Sequence, residues 1–256
     1  MFQTAFSMVQ HQETKCPTAS PLLDELLDGG FEAGLSYLIF GSPHCTSLLQ
    51  QAIATALLHY GPHRHVAVID ANNKIRPDNI LNKLQTASLS AAPTTHLQRL
   101  HIARAFTTDQ LLSLLGEAPN TIHGFDAPIL FINGLTHLVQ EEEEGDTYTS
   151  AALDSVTDPR VFRRAQLAAQ IKQLAFAHQV AVVASADAPK RESKPPLRIG
   201  QAARHRFHVL IHHHRQNTTD TFTLEKHPSR PWMQRSTVNP QSRRRLSSYQ
   251  TTLFGE

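Results

Sequence analysis

The chain has 256 residues, 40% of them hydrophobic and 18% charged, enough apolar material for one substantial domain and too much for a disordered chain. No apolar run approaches the roughly 20 residues of a membrane helix, the N-terminus MFQTAFSMVQHQETK lacks a secretory pattern, and two cysteines, Cys16 and Cys45, make neither a disulfide framework nor a CxxC zinc pair, so a soluble intracellular protein is expected. The net charge of +2 conceals an asymmetry: residues 189–245 hold 13 Lys/Arg against three Asp/Glu, a net +10, whereas residues 1–188 carry −7, a distribution that suits a polyanion such as nucleic acid or a solvated basic tail.

In chain order, LSYLIFG (35–41) reads as a strand ending in Gly41, and SLLQQAIATALLHYG (47–61) as a helix with a glycine stop. HVAVID (65–70) predicts a short buried strand, PDNILNKLQTA (77–87) a helix opened by Pro77, RLHIARA (99–105) a strand, and TTDQLLSLLGEA (107–118) a helix behind a Thr cap. APILFING (127–134) is the most apolar strand. Residues 160–178 predict a long amphipathic helix running into the strand QVAVVASA (179–186). FHVLIHHHR (207–215) and DTFTLEKH (220–227) predict a hairpin across QNTT. Strands alternating with helices imply a mostly parallel sheet covered on both faces, closed by an antiparallel edge hairpin. Surface loops are expected over 141–159 and 188–200, and a frayed polar tail over 234–256.

A strand, a short loop and a helix around Gly41 is where a phosphate loop GxxxxGK[ST] would sit, with glycines for close backbone approach, Lys for the phosphates and a hydroxyl for magnesium. The sequence reads GSPHCTSLL. At equal length Ser47 falls on the lysine; a deletion of one or two residues makes Ser47 or Thr46 the hydroxyl, and no register supplies the lysine. Gly41, Thr46 and Ser47 therefore form a degenerate nucleotide-binding set, able to approach a phosphate only through backbone N–H groups at the helix N-terminus.

The order of these segments resembles the RecA/RadA recombinase superfamily, in particular its archaeal–eukaryotic branch and the non-catalytic paralogues related to it. SPLLDELLDGGFEAG (20–34) resembles the family's LDxLLxGG entry, VIDANNKIRPDNI (68–80) its IDTEGTFRPERL segment, and LHIARAFTTDQLLSLL (100–115) the strand and helix that follow. ILFINGLTHLV (129–139) is similar to the Walker B strand, QVAVVASADA (179–188) to the strand ending in TNQ, and GQAARHRFHVLIHHHR with FTLEKHPSRP to the closing hairpin. The resemblance implies a RecA-like P-loop NTPase core over 20–232, preceded by a partner-docking linker (1–19) and followed by a basic, flexible tail (233–256).

The same resemblance exposes departures. The Walker B aspartate falls on Asn133, the catalytic glutamate on Asn72, and the glutamine that couples DNA to nucleotide on Asp187. An amide supplies no carboxylate charge to magnesium. With the lysine also missing, the resemblance implies a pseudo-ATPase with no catalytic residues and no ATP cofactor. Asp70, Arg76 and Pro77 read as structural.

Phe2 and Ala5 form a Phe-x-x-Ala element ahead of the core; in the resembling recombinases such a peptide docks on the neighbouring subunit. The family's second DNA loop maps to 188–203, where Lys190, Arg191, Lys194 and Arg198 suit phosphate contacts without base stacking, with Arg243, Arg244 and Arg245 as a further basic contact or a localisation signal. His212, His213 and His214 alternate across a strand and cannot share one metal, so no metal is expected. The resemblance thus implies an ATPase-deficient recombinase paralogue in homologous recombination and DNA repair. It would bind single-stranded or forked DNA and a recombinase or second paralogue, in the nucleus of a eukaryote or otherwise in the cytoplasm or nucleoid. Two alternatives stay open: a nucleotide switch or weak ATPase completed in trans, and a protein-interaction scaffold with no DNA role.

Overall fold

The computed structural model describes residues 15–87, 93–138, 159–186, 205–216 and 219–238. Five short parallel strands, β1 (Ser36–Phe40), β2 (Val66–Asp70), β3 (Leu100–Arg104), β4 (Ile129–Asn133) and β5 (Ala181–Ala186), are followed by β6 (Val209–Gln216), β7 (Thr219–Lys226) and β8 (Met233–Val238). They form one eight-stranded sheet in the order β3-β2-β4-β5-β1-β6-β7-β8. β1 pairs in parallel with both β5 and β6, and the β6–β7 and β7–β8 pairs are antiparallel. Strands β1, β2, β4 and β5 are buried along their whole length, which is why they read as unbroken apolar runs. Only side-chain alternation separates their two faces.

On one face Leu38, Phe40, Ile69, Ile132 and Val182 pack beneath α5 (Thr108–Gly124) and α6 (Pro159–His178). On the other, Tyr37, Ile39, Val68, Phe131 and Val183 pack beneath α1 (Pro21–Leu27), α2 (Cys45–His59) and α3 (Pro77–Ala87). A one-turn helix, α4 (Pro93–Leu97), precedes β3. Helix α1 starts behind Ser20 with Pro21 in its first turn and ends where Asp28, Gly29 and Gly30 all take positive φ. A Cβ on Gly30 would stand 2.0 Å from the Cys16 carbonyl oxygen. The close crossing exists because Cys16 and Phe31 exchange backbone hydrogen bonds of 2.9 and 2.8 Å.

Three boundaries differ from the sequence reading. Residues 15–19, assigned to the linker, are tied to the core: Cys16 and Thr18 are buried, and the Thr18 N–H donates to Asp24 Oδ1 at 2.7 Å. The helix expected to end at Ala118 runs through Pro119 to Gly124. Residues 233–238, assigned to the tail, form β8, because β7 offers an open edge that any extended segment can pair with. Among the described residues no helix is long and apolar enough to cross a membrane, and no group of three or more His, Cys, Asp or Glu could hold a metal ion.

Candidate functional site

The strand order brings the carboxyl ends of β1, β5, β4 and β2 side by side, and α2 rises from the loop that follows β1. In an open α/β sheet this crevice is where ligands bind. Here the chain's own polar side chains bond one another at its floor. Asn133, fully buried at the end of β4, donates from Nδ2 to Asp70 Oδ1 at 2.9 Å and also to Asn72 Oδ1. Its Oδ1 accepts from Thr46 Oγ1 and from Ser185 Oγ, both at 3.0 Å. An amide has two N–H donors and two lone pairs, so the Asn133 side chain is saturated. The surrounding groups close the network. Asn72 Nδ2 donates to Thr46 Oγ1 at 3.5 Å, the Gly134 N–H to Ser185 Oγ at 3.1 Å, and the Ile75 N–H to Asp70 Oδ2 at 2.9 Å. Gly134 has φ of 74° and lies so close to Asn72 that a Cβ there would be 2.5 Å from Asn72 Cγ.

In the loop after β1, Thr46 is the hydroxyl that reaches the end of β4. Aligned on it, the pattern GxxxxGK[ST] would place Cys45 at the lysine and His44 at the second glycine, with two residues fewer in the loop. Cys45 is buried, with its side chain in the core beneath α2. Within the short loop the His44 N–H donates to Ser42 Oγ at 3.1 Å and the Cys45 N–H to the Ser42 carbonyl at 3.3 Å. Gly41 has φ of 103°, and a Cβ there would be 2.2 Å from His212 Cδ2, because the His212 ring, stacked on Phe40 at 5.1 Å, closes against it. The neighbouring His213 ring faces the opposite way and stacks on Phe222 at 4.6 Å, donating from Nε2 to Asp220 at 3.1 Å. Burial pushes its pKa down to about 4.

A second feature lies at the β3 edge of the sheet. A cavity of about 320 Å³ opens between β2, β3 and α5, lined by Ala67, Ile69, His101, Ala103, Leu114 and Ala118 among others. It is largely apolar and of a size to take an aromatic side chain.

The chain matches the Rad51 family over residues 10–195, which is most of its length. It belongs to that family. A DNA repair and recombination protein RadA from the archaeon Methanoculleus marisnigri is 33% identical over 144 residues, covering 51% of this chain and 44% of that protein. The match therefore spans less than half the length of this relative. The eight-stranded, mostly parallel sheet with its antiparallel C-terminal strands is a RecA-like core, as Rad51-family membership requires.

Within that core the structure brings together Gly41, Thr46, Asn72 and Asn133. Ser47 is exposed one residue beyond Thr46 and has no part in the network. Two residues that sequence reasoning missed are Ser185, a hydroxyl inside the apolar strand AVVASA, and His212, whose ring fills the space beside Gly41. Asp70, read from sequence as structural, is the carboxylate of the network. Asp187, Lys190, Arg191, Lys194, Arg198, Arg243, Arg244, Arg245, Phe2 and Ala5 lie outside the described residues.

Proposed function

We propose that this Rad51-family chain serves DNA recombination and repair without hydrolysing ATP, as a non-catalytic paralogue that binds DNA and a recombinase-type partner. The observation that carries the reading is the saturated amide of Asn133. A magnesium–nucleotide group needs a carboxylate at the end of β4, a lysine at the head of α2 and a loop long enough to wrap phosphates. In their places stand Asn133, the buried Cys45 and a loop two residues short, with Asn72 where a carboxylate would orient water. Asp70 cannot substitute, because its oxygens accept from Asn133, Lys74 and Ile75. The donors present do not fit the group. Each lost catalytic contact removes about 2–4 kcal/mol of transition-state stabilisation, and several are lost together.

The basic residues Lys190, Arg191, Lys194 and Arg198, with Arg243, Arg244 and Arg245, would neutralise phosphates of single-stranded or forked DNA without reading its sequence. The apolar cavity at the β3 edge would receive the aromatic anchor of a Phe-x-x-Ala segment such as Phe2 and Ala5. Docking of such a segment in the socket of a neighbouring copy or paralogue would join subunits head to tail, a heterologous contact that need not close.

Fluorescence anisotropy of labelled single-stranded and duplex DNA across a salt series, with phosphate release followed in the same reactions, tests this function. The expected result is salt-steep binding that is the same with and without Mg-ATP, and no phosphate release. ATP-dependent binding, or turnover stimulated by DNA, would overturn it.

A further inference from the structure

One titratable ring stands in the wall of the β3-edge cavity, with a second bonded behind it. His101, on β3, lines the cavity and stacks on Phe125 with ring centroids 3.8 Å apart and planes 17° apart. Its Nε2 lies 2.7 Å from Nδ1 of His65, the residue just before β2, and His65 in turn tilts against Phe125 at 5.6 Å. At that separation the two imidazoles share one N–H···N hydrogen bond, which requires both rings to be neutral or one proton to be held between them. A second proton places two cations in contact, against an apolar socket and an aromatic ring.

We infer that the His65–His101 pair makes docking at this cavity proton-sensitive: the socket takes an apolar anchor while the rings are neutral and rejects it once they are charged. This rests on the docking reading given above and adds its regulation. The charges around the pair come from three directions. Glu117, on α5, lines the same cavity. Arg64 is paired with Asp126 at 3.6 Å, beside Phe125. Arg99, at the start of β3, is bound by the carbonyls of Leu57, Tyr60, Gly61 and Arg64 and touches His96. Burial, and then the neighbouring His65, hold the His101 pKa below its ordinary value, so the His101 ring is neutral at neutral pH. An anchor that fills the cavity removes the remaining water from His101, so binding must expel the proton, and affinity falls as pH drops through the titration.

The experiment uses the full chain and an acetylated, tetramethylrhodamine-labelled peptide of residues 1–10, MFQTAFSMVQ, which carries no titratable side chain. Affinity is measured from pH 8 to pH 5.5, with circular dichroism confirming the fold at each pH. The expected result is binding at pH 8 that weakens several-fold by pH 5.5, with a slope shallower than tenfold per pH unit, as one proton on a ring that titrates below its ordinary value requires. In His101→Ala, and in His101→Gln should the smaller side chain disturb β3, the pH dependence is lost, whatever the change in affinity at pH 8. Equal affinity at pH 8 and 5.5, or an unchanged slope in both variants, overturns the inference and leaves docking intact. No binding at any pH overturns the docking reading and the inference with it.

Discussion

In Asn133→Asp the exchange of NH₂ for O turns the donor that reaches Asp70 into an acceptor. The new carboxylate would lie about 3 Å from the Asp70 oxygen and against the Asn72 carbonyl oxygen, in a site with no solvent exposure. Two unit charges at about 3 Å repel by about 5 kcal/mol at an effective dielectric of 20. Part of this is relieved by proton uptake, since two carboxyls that share a site cannot both ionise. The variant is expected to be about 3–5 kcal/mol less stable than the parent at pH 8. The sign of its pH dependence follows from the same geometry. The carboxyl pair titrates above the unfolded Asp value of about 3.9, so the folded state binds the extra proton and stability falls as pH rises above about 4. Urea unfolding of both proteins between pH 5 and pH 8, compared at constant m-value, reads this directly. A variant as stable as the parent at pH 8, or one that gains Mg-ATP turnover, would refute the reasoning, because the amide would then be replaceable and the site still a nucleotide site.

Other outcomes follow from the same contacts. Thr46→Val keeps the shape of the side chain but removes the hydroxyl bonded to Asn133 at 3.0 Å; a loss of about 1–3 kcal/mol in urea unfolding is expected, without effect on DNA binding. Gly41→Ala forces a Cβ onto His212 at a positive φ and should cost about 2–3 kcal/mol; combining it with His212→Ala recovers the part due to the ring, though not the contact with the His213 carbonyl, and a double-mutant cycle without coupling would contradict the packing. Arg99→Ala strands carbonyls at Leu57, Tyr60, Gly61 and Arg64 and should lower stability by about 2–4 kcal/mol in thermal or urea melts. His213 titrates at about 4 in the folded chain, below its unfolded value of about 6.5, so the unfolded state binds the extra proton and stability falls by about 3 kcal/mol between pH 7 and pH 4. His213→Leu should flatten that slope, and an unchanged slope would assign the acid sensitivity elsewhere.

The parallel strands were legible because burial on both faces leaves a continuous apolar run, and Pro77 fixed the start of α3 to the residue. Strand β8 was not: MQRSTV has little apolar content, and its conformation comes from the open edge of β7 rather than from its own pattern. Helix α5 ran past Pro119 because Ile122 still has a core position to fill on the same face. At the site, the replacement of the expected carboxylates by Asn72 and Asn133 could be read from the resemblance alone. Which hydroxyl of the loop reaches the end of β4 could not, because it depends on Thr46 meeting Asn133, 87 residues apart in sequence. Ser185 carried a usable signal, a lone hydroxyl in a fully buried strand, since such a group must find a partner. The pairing of His65 with His101 carried none, because it depends on the register between β2 and β3.

The most direct test of the central claim is equilibrium binding of Mg-ATP and Mg-ADP to the purified full-length chain by isothermal titration calorimetry, alone and with single-stranded DNA. The closed Thr46–Asn133–Ser185 network predicts no saturable binding at nucleotide concentrations up to the millimolar range. Saturable micromolar binding that Thr46→Val weakens would contradict it, and would return the crevice to the role of a nucleotide site.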